Sequence, residues 1–114
     1  GVSIEYIASG FDRVTIKKET ALHLYRIIQE ALINMQRHSH AGKAELRIVV
    51  SYPAVIIRIE DNGCGFKIDD ISPDAHMGLR NMKERVTLLN GNISILSKPG
   101  KGTRIKIEIP LEEQ

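Results

Sequence analysis

The side chains able to do chemistry in this chain gather at four places. The first is one stripe of a helical stretch, where Glu30, Asn34, and Arg37 or His38 stand at i, i+4, and i+7 or i+8. A helix puts this carboxylate, carboxamide and cation in line, Glu30 and Asn34 about 6 Å apart along the axis. Oxygen donors of this kind can hold Mg²⁺, and Arg37 can neutralise a phosphate. A solvated helix face with an i,i+4 pair shows the same pattern. The second place is Asp61-Asn62-Gly63-Cys64-Gly65, directly after a strand pattern. An Asp at a strand end is fixed and can accept a hydrogen bond from an exocyclic amine. Glycines two apart let the backbone bend close to a flat ligand, although a plain turn has the same composition.

The third place is Gly78-Leu79, which reads as the opening of a second helix after an irregular loop. Free amides at such an opening make an anion site, or the glycine is only a hinge. The fourth is Gly100-Lys101-Gly102-Thr103, which a hairpin turn alone also explains. None of these has the Gly-x-x-x-x-Gly-Lys-Ser/Thr spacing of a Walker A phosphate loop.

The elements that must hold these residues follow from periodicity. Residues 1–8 alternate, with Val2, Ile4, Tyr6 and Ala8 on one face, and predict a half-buried strand. From Lys18 to His38 apolar residues recur at Ala21, Tyr25, Ile28, Leu32 and Met35, an amphipathic helix. Leu46, Ile48 and Val50, then Val55, Ile57 and Ile59, alternate about the turn Ser51-Tyr52-Pro53-Ala54, an antiparallel hairpin. Lys67 to Met77 has no apolar period and reads as a loop. Leu79, Met82, Val86 and Leu89 mark a second helix that stops at Asn90-Gly91. Ile93 and Ile95, then Ile105, Ile107 and Ile109, give a last hairpin about Pro99-Gly100-Lys101-Gly102. Single-faced alternation in every strand predicts a two-layer α/β sandwich, its mixed, largely antiparallel sheet covered by helices on one face.

Composition narrows the function classes. The 114 residues suffice for one domain, residues 1–114. Sixteen basic and 14 acidic residues leave a net charge of +2, with no basic block. Aromatics are 4% of the chain, too few for a stacking platform, so neither composition nor charge supports a nucleic-acid binder. No apolar run approaches the roughly 20 residues of a membrane span, so no membrane contact is expected of this domain. The lone Cys64 can form no internal disulfide, which fits a cytoplasmic setting. One cysteine and four scattered histidines fit no zinc spacing.

Taken together and in order, the motifs carry a resemblance. Tyr25-Arg26-Ile27-Ile28-Gln29-Glu30-Ala31-Leu32-Ile33-Asn34 resembles the N box of the GHKL ATPases, and Asp61-Asn62-Gly63-Cys64-Gly65-Phe66 resembles their G1 box. Gly78-Leu79-Arg80-Asn81-Met82-Lys83-Glu84-Arg85 is similar to the G2 region of the sensor histidine kinases that pair with NarL/LuxR-type response regulators. Gly100-Lys101-Gly102-Thr103-Arg104-Ile105 resembles the closing Gly-Thr element. The likeness runs from Gly1 to about Leu111. It departs from the usual pattern at Met35-Gln36, at Arg37 where Lys is frequent, and at His76-Met77-Gly78, which has one glycine where relatives often carry two.

The resemblance implies a Bergerat fold binding ATP and Mg²⁺. Asn34 would coordinate Mg²⁺, and Glu30 would orient water or a metal-bound ligand, with Glu30 a second candidate for the metal. Arg37 and His38 would approach the phosphates. Asp61 would accept from the adenine amine, Gly63 and Gly65 would let the chain pass the base, and Thr103 would reach the adenine pocket. Gly78 and Leu79 would anchor a mobile lid, Lys67 to Met77, beside the phosphates. The implied role is the catalytic, ATP-binding domain of a histidine kinase, donating the γ-phosphoryl group to a histidine on a dimerising helical hairpin. His23, His38, His40 and His76 lack the following acid expected of the acceptor, so the domain is expected to be excised from a larger sensor kinase, whose sensor region would supply any membrane anchor. A self-contained ATPase with Glu30 as base, and an anti-sigma-like protein-binding module, are the alternatives.

Overall fold

Aliphatic residues at every second position build the sheet of the computed structural model, which describes residues 3–10, 16–36, 42–65 and 73–111. The elements run β1 (Ser3–Ser9), α1 (Lys18–Asn34), β2 (Lys43–Ser51), β3 (Ala54–Asp61), α2 (Pro73–Leu88), β4 (Asn92–Ser97) and β5 (Thr103–Pro110). The strands lie in the order β1-β2-β3-β5-β4. β1 is parallel to β2 and every other pair is antiparallel. The expected mixed, largely antiparallel sheet with helices on one face is the observed architecture.

The register sorts the helix-facing side chains into rows. Val50, Val55 and Ile109 form the first. Ala8, Ile48, Ile57, Ile107 and Ile93 form the next, followed by Tyr6, Leu46, Ile59, Ile105 and Ile95. The last row is Ile4, Ala44, Asp61, Thr103 and Ser97, polar in three of its five positions. The opposite face carries exposed Arg47, Arg58 and Lys106. Leu24, Ile27 and Ala31 of α1 and Leu79, Met82 and Val86 of α2 are buried with the aliphatic rows, at the three-and-four spacing of a helix stripe.

Three expectations need correction. The buried stripe of α1 is Leu24, Ile27, Ala31 and Met35, not one through Ala21 and Tyr25. The helix is apolar on adjoining faces, so period alone does not choose between them. Tyr25 points outward, 58% exposed, with the Arg26 guanidinium 5.9 Å from its ring centre. β1 is not half-buried as a whole: Ile4 is, but Tyr6, Ile7 and Ala8 are exposed at the sheet edge. α2 begins at Pro73, so residues 73–77 are helix rather than loop. Proline suits a first helical turn, where its missing N–H is no loss. The expected stop at Asn90-Gly91 is present. Asn90 has φ 58°, and the Gly91 N–H donates to the Val86 carbonyl (2.9 Å) and the Asn90 N–H to that of Thr87 (3.0 Å). These bonds satisfy the last carbonyls of the helix.

Among the described residues no helix is long and apolar enough to cross a membrane. The burial predicts a sharp contrast in urea unfolding. Ile57, fully buried in the central strand, should cost about 2–5 kcal/mol as Ile57→Ala. Leu96, 59% exposed, should shift stability by about 0.5 kcal/mol or less as Leu96→Ala. Equal losses would mean that the aliphatic rows are not the core.

Candidate functional site

Two helices and one end of the sheet frame the site. His23 of α1 meets Arg85 of α2, Nδ1 to Nη1 3.3 Å. Since arginine only donates, His23 Nδ1 is the acceptor. About two and three turns further along α1, Glu30 and Asn34 meet Gly78. The helices therefore run antiparallel. The first turn of α1 shares a cavity of about 330 Å³ with Leu89, Asn90, Pro110 and Leu111. That cavity contains none of the four motifs. It fixes the start of α1 at the Pro110 end of β5, which directs Asn34 toward the Asp61–Thr103 end, about 25 Å away along the helix.

Gly78 is the contact between the helices at that end. It is buried, and it is the sixth residue of α2, past the four unpaired N–H groups of a helix start. The expected anion site at a helix opening is thus not formed by Gly78. Leu79, expected beside phosphates, is instead 7% exposed within the apolar core. A Cβ on Gly78 would lie 2.6 Å from Asn34 Nδ2 and 2.7 Å from both Asn34 Oδ1 and Glu30 Oε1. The missing side chain is what lets α2 reach these two groups. Asn34 Nδ2 is buried without a hydrogen-bond partner among the described residues. A donor buried in that way costs about 1–3 kcal/mol. Oxygen atoms of Glu30 and Asn34 converging on one point suit a hard cation that keeps most of its other ligands from water or phosphate. Among the described residues no group of three or more His, Cys, Asp or Glu side chains could form a cage by itself.

Asp61 anchors the second group. It ends β3 on the helix-facing side, between Ala44 and Thr103 in the register. The Gly63 N–H donates to Asp61 Oδ1 at 2.8 Å, and the Thr103 N–H donates to the same carboxylate. Partial burial nevertheless raises the Asp61 carboxyl above its ordinary 3.8, outweighing these two hydrogen bonds. Thr103 is buried, with its hydroxyl 2.8 Å from Ser97 Oγ. Gly65 has φ 64° and a Cβ there would fall on the Lys98 carbonyl, so only glycine fits. The Gly100 N–H donates to the Cys64 carbonyl, which clasps the Asp61–Gly65 segment to the β4–β5 turn. The structure thus joins Glu30, Asn34 and Gly78 in one group, and Asp61, Gly63, Gly65 and Thr103 in another at the same end of the sheet. Arg37, His38 and the first half of the expected lid lie outside the described residues.

Sequence reasoning left three contributors without a role. Ser97 braces Thr103 and also donates to the Gly102 carbonyl at 3.2 Å. Asn62 Oδ1 accepts from the N–H groups of Gly42 (3.0 Å) and Lys43 (2.9 Å), tying the start of β2 to the Asp61 segment. Ala44, small and buried beside Asp61, leaves the carboxylate uncrowded. A polar or small residue ending an otherwise aliphatic alternation was the available signal for Ser97 and Ala44.

Comparison with known proteins agrees with the fold. Residues 19–113 match the model of the histidine kinase-, DNA gyrase B-, and HSP90-like ATPase family. The chain belongs to that family. It is 38% identical over 96 residues to the sensor histidine kinase LiaS of Bacillus subtilis, covering 84% of this chain and 26% of that protein. It is 39% identical over 108 residues to the sensor protein VraS of Staphylococcus saprophyticus, covering 95% of this chain and 31% of that one. It therefore spans about a quarter to a third of the length of these relatives. Among solved structures, the Erythrobacter litoralis EL346 blue-light activated histidine kinase superposes with TM-score 0.81 at 24% identity, over 99% of this chain and 36% of that one. The Acinetobacter baumannii histidine kinase AdeS gives 0.74 at 21%, over 98% and 55%. At these identities the structures bear on the fold alone.

The raised Asp61 carboxyl makes a pH prediction. The folded domain holds the Asp61 proton more tightly than the unfolded chain does. This contribution to stability is fully present below the ordinary 3.8 and is lost as pH rises through the folded value. Asp61→Asn should remove that loss, so the nucleotide-free variant should melt above wild type at pH 7 and alike near pH 3. A variant less stable than wild type at pH 7 would show that the two backbone hydrogen bonds outweigh desolvation.

Proposed function

We propose that this domain binds Mg·ATP and presents the γ-phosphoryl group to a histidine on the helical hairpin of a parent sensor kinase. The observation that carries the reading is the pairing of two groups at one end of the sandwich: Asp61 with Thr103, and Glu30 with Asn34. Asp61 accepts from the adenine N6 amine. The backbone approach allowed at Gly63 and Gly65 lets the base lie beside the strand end, and Thr103, braced by Ser97, closes that side. Asn34 would hold Mg²⁺ through Oδ1, and Glu30 would orient a water or a metal-bound ligand. Arg37 and His38 serve the phosphates. Bound Mg²⁺ screens the phosphate charge, and the domain contributes positioning and charge neutralisation. In the transfer, the acceptor imidazole nitrogen forms the new bond to phosphorus as the bond to the ADP oxygen breaks. The acceptor hairpin, a dimeric parent, any membrane anchor, and a NarL/LuxR-type response regulator that takes the phosphoryl group onto an aspartate complete the proposed system. LiaS and VraS are named as sensor proteins, which supports this assignment.

Calorimetry tests the division of labour. Asn34→Ala should weaken Mg·ATP by at least about tenfold, or 1.4 kcal/mol, and leave adenosine unchanged. Asp61→Asn should weaken both by about 1–3 kcal/mol, because the amine loses its acceptor. Equal losses for adenosine and Mg·ATP in Asn34→Ala would make Asn34 a structural residue.

With γ-labelled ATP and Mg²⁺ the isolated chain should stay unlabelled and turn over slowly. Transfer to a hairpin supplied in trans should be weak, since the effective concentration given by a tether is lost. Stable label on this chain alone would make one of its own histidines an acceptor. Rapid hydrolysis would favour a self-contained ATPase with Glu30 as general base.

A further inference from the structure

We propose that Ser97 is a positioning residue that fixes the direction of the Thr103 hydroxyl hydrogen, and so makes this strand end select a purine with a donor at its 6-position. The choice of base rests on the Mg·ATP reading, but the direction of the hydrogen stands on contacts within this chain.

Ser97 ends β4 and faces Thr103 at the start of β5. Its Oγ lies 3.2 Å from the Gly102 carbonyl oxygen and 2.8 Å from Thr103 Oγ1. A carbonyl oxygen only accepts, so the first contact takes the one hydroxyl hydrogen of Ser97. The second contact is then a hydrogen bond only if Thr103 donates to Ser97. The reverse assignment spends the Ser97 hydrogen on Thr103 and leaves the Gly102 contact without one. Gly102 itself is fixed: its φ is 76°, and a Cβ there would fall on the Asp61 carbonyl.

β5 lies between β3 and β4, so a hydrogen turned to Ser97 is turned away from Asp61. The Thr103 hydroxyl keeps lone pairs and no hydrogen. Any further bond it makes, to a base or to a water, it accepts. The Asp61 carboxylate already takes the Gly63 and Thr103 backbone N–H groups and, when ionised, can only accept more. Two side-chain acceptors thus stand together with no hydrogen of their own to offer. An amine at the purine 6-position supplies the missing donor. An oxo group there sets a third acceptor against them, and leaving such groups unpaired is what makes hydrogen-bond selection steep.

Loss of Ser97 releases the hydrogen. In Ser97→Ala the Thr103 hydroxyl has lost its acceptor on β4. The Asp61 carboxylate, bonded to the Thr103 N–H, is the acceptor on its other side. Donation to it favours the ionised form. Among the described residues only burial and the two backbone N–H groups shift this carboxyl, so no neighbouring charge obscures the added bond.

The experiment has two arms. Calorimetry compares Mg·ATP with Mg·ITP, which carries an oxo group in place of the 6-amine, at pH 8 to keep Asp61 ionised. Wild type should prefer ATP. Ser97→Ala should narrow that preference at least about threefold, and Ser97→Thr, which keeps the hydroxyl, should retain it. In a Thr103→Val background, adding Ser97→Ala should leave the preference unchanged, because no hydroxyl remains to be directed. No preference in wild type, an unchanged one in Ser97→Ala, or the same narrowing without the Thr103 hydroxyl would overturn the selection. The second arm titrates the Asp61 carboxyl by carbon NMR in the nucleotide-free domain. Its acid dissociation constant should rise at least about twofold in Ser97→Ala and stay constant when the same change is made in Thr103→Val. An unchanged or lowered constant in Ser97→Ala would overturn the direction of the hydrogen. Absence of any Mg·ATP binding would instead overturn the proposed function, and the titration would still decide where the hydrogen points.

Discussion

Asp61 and Thr103 face each other across β3 and β5 at the end of a ladder whose other helix-facing pairs, Val55–Ile109, Ile57–Ile107 and Ile59–Ile105, are aliphatic on both strands. A slip of one residue would turn Arg58 and Lys106 toward the helices and the isoleucines toward water. Each of those isoleucines contributes about 1.5–3 kcal/mol by burial. Register is therefore set by the apolar rows, and the polar pair is carried to its place by them. The tight turn that follows Asp61 depends on the same ladder. Gly65 and Gly102 both have positive φ, and a Cβ on either would fall on a carbonyl of the facing segment, so the Asp61 loop and the β4–β5 turn interlock only in this register.

The helices add a second fixed end. α1 and α2 are pinned by His23 and Arg85 at one end and brought together at the other by the absence of a side chain at Gly78. Between these points the Leu24, Ile27, Ala31 stripe and the Leu79, Met82, Val86 stripe share the aliphatic rows. Glu30 and Asn34 lie three residues after Ile27 and Ala31, so their stripe adjoins the buried one. That offset keeps both side chains half-buried, where a carboxylate and a carboxamide are held in direction without being sealed in the core.

Strict period-2 patterns were legible from β2 to β5 because each of those strands has one covered face. β5 alternates buried and exposed residues along its whole length, and the sequence shows the same isoleucine alternation. Asp61 and Thr103 were legible as strand-end residues, though their direct opposition follows only from the β3–β5 pairing, which skips α2 and β4. The stripe of α1 was misjudged because Tyr25 and Ile28 continue an apolar period beside the true one. Only tertiary packing decides between two adjoining apolar faces. The start of α2 was misplaced for a related reason. Residues 73–77 carry no apolar period, and what organises them is Pro73 at the first turn and the closeness of Gly78 to α1. A glycine that permits helix contact and a glycine that ends a loop look alike in sequence. Asn62 was similarly hidden, since its partners Gly42 and Lys43 lie on another strand.

The unfavourable features of the fold lie together rather than scattered. Asp61 is a partly desolvated carboxylate, and Asn34 buries an unpaired amide, both at the end where the aliphatic rows give way to Thr103 and Ser97. A domain of this size has a margin of roughly 5–15 kcal/mol, so two such defects are a sizeable fraction of it. They are tolerable because the three aliphatic rows and both helix stripes are complete without them. On the Mg·ATP reading, the adenine amine answers the first of these by donating to the Asp61 carboxylate. Linkage then makes the loaded domain more stable by RT ln(1 + [L]/Kd), about 2.7 kcal/mol at a hundredfold excess over Kd.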